Sequence, residues 1–391
     1  ALHYAAASGS VPVIETLMQA GLHITARSND GSHVLHIAAS NDNLTIVKYL
    51  IETQSQLLQQ TKNSGWTALH SAATGDSIPV IETLTQAGLD ITARTNDGSH
   101  VLHIAAMNDN LTIVKYLIET QSQLLHQTDN RGWTAIHYAA SGGSVSVIET
   151  LKQAGLDISA RSNGGFHVLH FAAVSDNLTI VKYLIENQSQ LLQQTDNNGW
   201  TALHCAAARG SVPVIKTLVQ AGLDITARTN DGSHVLHIAA ASDNLTIVKY
   251  LIKTQSQLLH QTDNRGGTAL HYAATGGSVP VIDTLMQAGL GITARTNDGL
   301  NVLHIATQND NLTIVKYLIE TQSQLLQQTA HRGWTALHFA ARSGSVTVIE
   351  TLMQAGLDIT GRTYDGSQPL HIALRYYNMK VIKFLKEKYN M

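Results

Sequence analysis

Apolar positions fall in two short helical stripes per unit, and the pattern restarts about every 33 residues along the chain. In residues 65–97, Leu69, Ala72 and Ala73 stand at i, i+3 and i+4, which is one face of a helix. Ile81, Leu84 and Ala87 form a second stripe, with Pro79 in the first turn, where a missing N–H costs nothing, and Gly88 as a stop. The short alternation Leu89-Asp90-Ile91 and the turn signal Asn96-Asp97-Gly98 then predict a hairpin-like loop. Residues 98–131 repeat this plan with an outer stripe of Leu111, Val114, Leu117 and Ile118. Their ending differs, because Gln121-Ser122-Gln123-Leu124-Leu125 replaces the Ala-Gly-Leu-Asp step and adds one residue.

A Leu-His or Ile-His step anchors each unit, at His3, His36, His70, His103, His137, His170, His204, His237, His271, His304, His338 and His371. The spacings alternate between 33 and 34, so twelve units are organised as pairs with a 67-residue period. Two helices of about ten residues are marginal alone in water, so each unit must cover its neighbour's apolar stripe. The length of 391 residues, which at about 150 per domain suggests two or three domains, is therefore expected to form a single solenoid domain over 1–391. Its parts are a shortened first unit over 1–30, which should fray, ten full units over 31–365, and a capping unit over 366–391. In that last unit Tyr376, Tyr377, Lys380, Lys383, Lys386 and Lys388 replace the regular pattern and offer water a polar face.

Composition narrows the function. Hydrophobic residues make up 43% of the chain and charged residues 14%, and 25 Lys+Arg against 28 Asp+Glu leave a net charge of −3. That is too little positive charge for the phosphate neutralisation a general nucleic-acid binder needs, so no nucleic-acid partner is expected. No apolar run approaches the roughly 18 residues of a membrane span, so no membrane partner is expected either. The one cysteine, Cys205, rules out an internal disulfide framework and a multi-cysteine zinc site, and fits a reducing compartment.

The residues Gly65-Trp66-Thr67-Ala68-Leu69-His70 with Ala72-Ala73, followed by Val80-Ile81, Leu84 and Ala87-Gly88-Leu89-Asp90-Ile91, resemble the ankyrin repeat, and the resemblance runs through all twelve units. It implies an all-α solenoid of helix–turn–helix units with protruding hairpin-like loops and a concave face. It also implies protein binding without catalysis or cofactors. The family's Thr-Pro-Leu-His step has Ala68, Ala135, Ala202, Ala269 and Ala336 in one unit type and Val34, Val101, Val168, Val235 and Val302 in the other; only Pro369 restores the proline. Such near-identical copies are similar to the arrays of eukaryotes and of intracellular bacteria that deliver them into host cells, and equally to a designed scaffold. The resemblance thus implies a monomer in the cytoplasm, or delivered into a host cytosol, with an unidentified protein partner. The alternatives are the repeat portion of an effector whose enzymatic domain lies elsewhere, and a rigid spacer with no partner.

Twenty histidines invite a metal or catalytic reading. The pairs His33/His36, His100/His103, His167/His170 and His234/His237 have the i, i+3 spacing of two ligands, yet no carboxylate or thiolate recurs at an offset that completes a shell. They are read as first-turn residues taking the place of the family's Thr, and no metal site is expected. Cys205 and His204, adjacent on a helix, point about 100° apart and do not form a thiol–imidazole pair.

The binding candidates are the tryptophans before each Thr and the positions that differ between copies. Trp66, Trp133, Trp200 and Trp334 form an interrupted ladder, with Gly267 in the ninth unit, and Trp is enriched at binding hot spots. Met107, Arg209 and Arg342 fall near the ends of inner helices, which the resemblance places on the concave surface. Arg94, Asn96, Arg131, Arg228, Asn230, Arg265 and Arg332 are loop-tip residues completing the same face. On the outer helices the recurring acid becomes Lys216 in the seventh unit and Lys253 in the eighth, which with Arg209 suggests a patch for an acidic partner.

Overall fold

The computed structural model describes residues 1–389; Asn390 and Met391, the end of the cap expected over 366–391, lie outside the described residues. Contacts divide the chain into two compact parts, residues 1–197 and 198–391. Each part contains six helix pairs among its described residues, from Leu2–Ser8 to Leu178–Asn187 in the first and from Ala202–Arg209 to Met379–Tyr389 in the second. The longest of these helices has 11 residues, and none is long and apolar enough to cross a membrane.

Within a pair, the sequence punctuation determines where each helix begins and ends. The outer helix Ile78–Gln86 carries its proline in the first turn and stops at Gly88, whose φ of 96° only glycine adopts without cost. There the Gly88 N–H donates to the Thr85 carbonyl at 3.0 Å and the Leu89 N–H to the Leu84 carbonyl at 3.1 Å, while Leu89 closes over the helix end as a buried residue. The second unit type ends instead with a short 3₁₀ turn, Ser122–Leu124, after the helix Leu111–Thr120, and this absorbs the extra residue. Its Asp-Asn step joins inner and outer helices. Asp109 takes the left-handed conformation at φ 58°, and the Asn110 amide donates to the carbonyls of Ala73 and Gly75, both at 2.6 Å, in the preceding unit.

Small residues set the spacing between units. Ala105, Ala106, Ala139 and Ala140 are fully buried where the inner helices Val101–Met107 and Ala135–Gly142 meet. A Cβ on Gly142 would lie 2.2 Å from the Met107 carbonyl oxygen, so any larger residue there would force the two helices apart. The outer stripes, such as Ile113, Val114 and Leu117, are also fully excluded from water.

The loops close by turns without pairing as strands. Thr95 donates its N–H to the Ser99 carbonyl at 3.0 Å and Gly98 to the Thr95 carbonyl at 2.9 Å. Successive loop tips are then joined by asparagine. Asn96 donates its backbone N–H to the Ser64 carbonyl and its side-chain amide to the Asn63 carbonyl, at 2.9 and 3.0 Å. Asn130 repeats the step onto Asp97 and Asn96. In the second part Asn264 and Asn297 do the same, whereas His331 and Tyr364 keep only the backbone bond because neither carries an amide.

Candidate functional site

The anchoring histidines belong to the framework. His137 accepts at Nδ1 from the Thr134 N–H at 3.1 Å and from the Thr134 hydroxyl at 2.9 Å, and its Nε2 meets the Ala160 carbonyl at 3.1 Å. This arrangement places the proton on Nε2 and ties the start of this inner helix to the next loop. Burial holds His137 down to about 4 and His304, which bonds the Gln328 carbonyl in the same way, also to about 4. In the paired positions the first histidine stands at the helix start where the other unit type has Thr, and His33 caps Val34–Ser40 by accepting the Leu35 N–H at 3.3 Å. The rings of His33/His36, His167/His170 and His234/His237 lie 4.1, 4.0 and 4.1 Å apart. Among the described residues no group of three His, Cys, Asp or Glu side chains is arranged to hold a metal. Cys205 is buried within the inner helix Ala202–Arg209.

Two of the loop-tip arginines clamp consecutive units together. Arg94 donates to the Thr128 carbonyl at 2.9 Å and lies 3.2 Å from His100 Nε2. Arg228 donates to the carbonyls of Gly232 and Thr262 and to the Gln261 side chain, at 2.9, 2.8 and 2.8 Å. Asn96 sits in the amide ladder, and the Asn230 backbone contributes both a donor to Asn198 and an acceptor for Asn264.

The four tryptophans are half-buried against the histidine of their own helix or the aromatic residue that follows it. Trp66 and Trp200 lie 6.2 and 6.0 Å from His70 and His204. Trp133 is enclosed more fully, with Phe171 at 4.4 Å, Tyr138 at 5.7 Å and the Arg131 guanidinium stacked at 3.6 Å. Beneath it Asp129, whose side chain is 0% exposed, takes four donors: the Arg131 Nε at 3.1 Å, the Tyr138 hydroxyl at 3.0 Å, and the backbone N–H groups of Arg131 and Trp133. Burial, together with the neighbouring Asp129 charge, pushes the Tyr138 phenol up to about 12. Arg131 also reaches Asp97 at 3.7 Å.

The same position opens up in the second part of the chain. Asp263 accepts from the Tyr272 hydroxyl at 2.8 Å, as Asp129 does from Tyr138, but Gly267 leaves Arg265 without an indole to stack on. One pair of units later Ala330 replaces the aspartate and Phe339 the tyrosine, so Trp334 and Phe339 meet at 5.2 Å with no carboxylate beneath them. Arg332 stands there at φ 63°, a left-handed conformation that costs an ordinary residue about 1–2 kcal/mol. The result is a groove of about 650 Å³ lined by Arg265, Arg332, Arg342, Trp334, Phe339 and Tyr376, with Asp298 as its one acid. The Arg342 guanidinium lies 5.1 Å from the Tyr376 ring. None of the three arginines forms an ion pair with a described residue.

This groove brings together four of the residues singled out from the sequence, Arg265, Arg332, Trp334 and Arg342. Sequence reasoning missed Tyr376 as a binding residue, assigning it to the cap, and also missed the exchange of Asp-Tyr for Ala-Phe at 330 and 339. That exchange is visible on aligning the copies. Smaller depressions of about 360 and 340 Å³ recur at Lys48-Tyr49 and Lys115-Tyr116 and are products of the period. Met107, 50% exposed, ends its inner helix in the first part of the chain. Arg209 ends the inner helix Ala202–Arg209, while Lys216 and Lys253 lie on the outer helices Val212–Gln220 and Leu245–Thr254. Lys216 meets the Tyr250 ring at 5.4 Å, and no contact among the described residues links the three cations.

A family model for ankyrin repeats matches residues 2–95, 92–162, 157–229, 222–296 and 303–391. Similar proteins include the tyrosine-protein kinase HTK16 of Hydra vulgaris, 29% identical over 120 residues that cover 30% of this chain and 16% of that one. The nuclear factor NF-kappa-B p105 subunit of Gallus gallus is 32% identical over 115 residues, 28% of this chain and 12% of its own. The human transient receptor potential cation channel subfamily A member 1 aligns over 96% of this chain and 35% of its own length, at 26% identity. The chain thus spans about a third or less of these relatives. With the repeat matched in every part of the chain, and with paired helices, capped starts and turn-closed loops recurring throughout, the chain belongs to the ankyrin-repeat family.

Proposed function

We propose that this chain is a non-catalytic, monomeric protein-interaction module that recognises its partner through the free ends of its inner helices and through selected loop tips. The reading rests on where the copies differ. The anchoring histidines from His36 to His338 and the paired alanines that repeat from copy to copy are buried, while the inner-helix ends that vary, Met107, Val174, Arg209, Gln308 and Arg342, are exposed. Function on a rigid scaffold concentrates at such positions. The clamping roles of Arg94, Arg228 and Asn96 narrow the contact set to Met107, Arg209, Arg265, Arg332 and Arg342, with Trp334 contributing a half-exposed ring.

Affinity capture with the full chain, followed by mass spectrometry, tests the reading. A specific protein should be retained, and a variant combining Met107→Ala, Arg209→Ala and Arg342→Ala should release it while keeping its helical circular dichroism. Retention of the same proteins by both chains, or of none by either, would leave the rigid spacer as the better account.

A further inference from the structure

We infer that the groove at Arg265, Arg332 and Arg342 is a docking site for an acidic peptide segment of the partner, one that places carboxylates on the guanidinium groups and an apolar side chain against Trp334 and Tyr376. The inference rests on the reading of the chain as an interaction module. It is carried by a departure from the chain's own pattern.

Where the pattern is complete, the arginine is satisfied internally: Arg131 stacks on Trp133 at 3.6 Å and pairs with Asp129 at 3.1 Å and Asp97 at 3.7 Å. At Arg265 the stacking ring is gone, because Gly267 occupies its place. At Arg332 the ring remains but the carboxylate is gone, because Ala330 occupies its place. Each loss removes a different internal partner, and both open onto one groove. Arg342 adds a third guanidinium from the end of the inner helix Ala336–Ser343, held over Tyr376 at 5.1 Å. Within the lining three guanidinium groups stand against the single carboxylate of Asp298, and even with Asp231, whose carboxylate interacts with the nearby Arg265, the arginines are in excess. The planar fork of arginine suits carboxylates, which it binds through paired N–H donors.

The shape of the groove argues for a peptide over a small anion. Its lining takes residues from the loop at 265, the loop at 331–334 and Tyr376 in the last unit, and includes three aromatic rings beside the three arginines. A free anion has no use for the rings, whereas an extended chain supplies carboxylates and an apolar anchor at successive positions.

The probe is a fluorescein-labelled peptide in which Glu alternates with Gly around a central Phe, titrated with the full chain and read by fluorescence anisotropy. The Glu peptide should bind, and its Gln counterpart should bind about tenfold more weakly or not at all. Combining Arg265→Gln with Arg332→Gln should reduce affinity by about tenfold, and Gly267→Trp, which restores the indole beside Arg265, should weaken binding without removing any charge. Combining Lys216→Gln with Lys253→Gln removes equal charge elsewhere and should change affinity by less than about twofold. Circular dichroism confirms folding of each variant.

Equal binding of the Gln peptide, unchanged affinity in both groove variants, or an equal loss in the lysine variant overturns the inference. Full displacement by inorganic phosphate, with none by chloride at matched ionic strength, overturns it in favour of a small-anion site. A captured partner that ignores the groove variants, with no binding of the Glu peptide, defeats the groove and spares the module. Binding of the Glu peptide with no protein ever captured defeats the module and spares the groove chemistry.

Discussion

Trp133 and Gly267 occupy the same place in two copies of one unit, and their surroundings differ in what is left for a partner to do. Around Trp133, guanidinium, indole, phenol and carboxylate satisfy one another, and the loop is finished as a piece of structure. Around Gly267 and Ala330 the bonds that close the loop persist while partners of the arginines have been withdrawn, and at 332 the backbone also moves into the left-handed region, as it does at neither Arg131 nor Arg265. Closure of the loop does not need those partners, since Ala330 donates its N–H to the Trp334 carbonyl at 2.8 Å with no carboxylate present, much as Asp129 does to that of Trp133 at 3.0 Å. The repeat therefore separates loop closure from loop chemistry: the closing bonds are held while side-chain partners, and at 332 the local backbone, vary.

The largest expected effect acts on both regions alike. Burial holds His70 and His237 down to about 4, as it does His137 and His304, against the ordinary 6.5. Between these pH values the unfolded chain binds protons that the folded chain refuses, so stability is full above pH 6.5 and is lost as pH falls through 4. Each such histidine contributes a slope of about 1.4 kcal/mol per pH unit within that window. Urea denaturation at pH 7 and pH 5 should show a marked drop in midpoint; equal midpoints would mean that the imidazoles are protonated in the fold.

Asp129→Ala comes next, because it removes one acceptor from four donors, the backbone N–H groups of Arg131 and Trp133 among them, while Tyr138 keeps Ser99 and Arg131 keeps Asp97, at a cost of about 3 kcal/mol. Adding Tyr138→Phe copies the Ala330/Phe339 arrangement but also removes the Ser99 hydrogen bond, so it should recover none of this and cost about 1 kcal/mol more. Asp263→Ala should cost less than Asp129→Ala, since Arg265 makes no ion pair with it. Equal losses at the two sites, measured by urea denaturation, would erase the contrast between the regions.

Truncating the rings gives a smaller effect. Trp133→Ala should destabilise by about 2 kcal/mol and Trp66→Ala by about 1, because Trp133 packs edge-on against Phe171 and Tyr138 while the Trp66 ring meets His70 at 6.2 Å and Lys62 at 5.1 Å. Their melting temperatures should therefore fall in that order. The smallest effect belongs to Lys216→Glu on the outer helices. It should restore to Tyr250 the acid–phenol hydrogen bond that Glu149 makes with Tyr183, raising stability by about 0.5 kcal/mol. A loss in thermal denaturation would show that the cation–π contact at Tyr250 is the better of the two.

Much of this architecture was legible in the residue order. The histidine period, Pro79, Gly88 and the Asn-Asp-Gly turn act over a few residues or repeat at fixed intervals, so a linear reading captures them. The role of Arg94 was hidden, because the carbonyl it clamps belongs to Thr128, 34 residues later, and nothing local distinguishes a clamping arginine from a solvated one. The groove was half legible. Arg265, Trp334 and Arg342 stood out singly, but a missing ring at 267 and a missing acid at 330 become one cavity only when the fold brings the two loops and Tyr376 together.

The asparagine rungs between loop tips carry a mechanical consequence for the second part of the chain. Asn264 and Asn297 each fasten their loop with two parallel bonds, so a load on one tip is shared. At His331 and Tyr364 the fastening drops to one, and those two rungs border Arg332 from either side. A force applied along the tips would be spent first at this step, which makes the wall of the groove the most compliant joint in that row and lets it adjust to an occupant while its neighbours hold their shape.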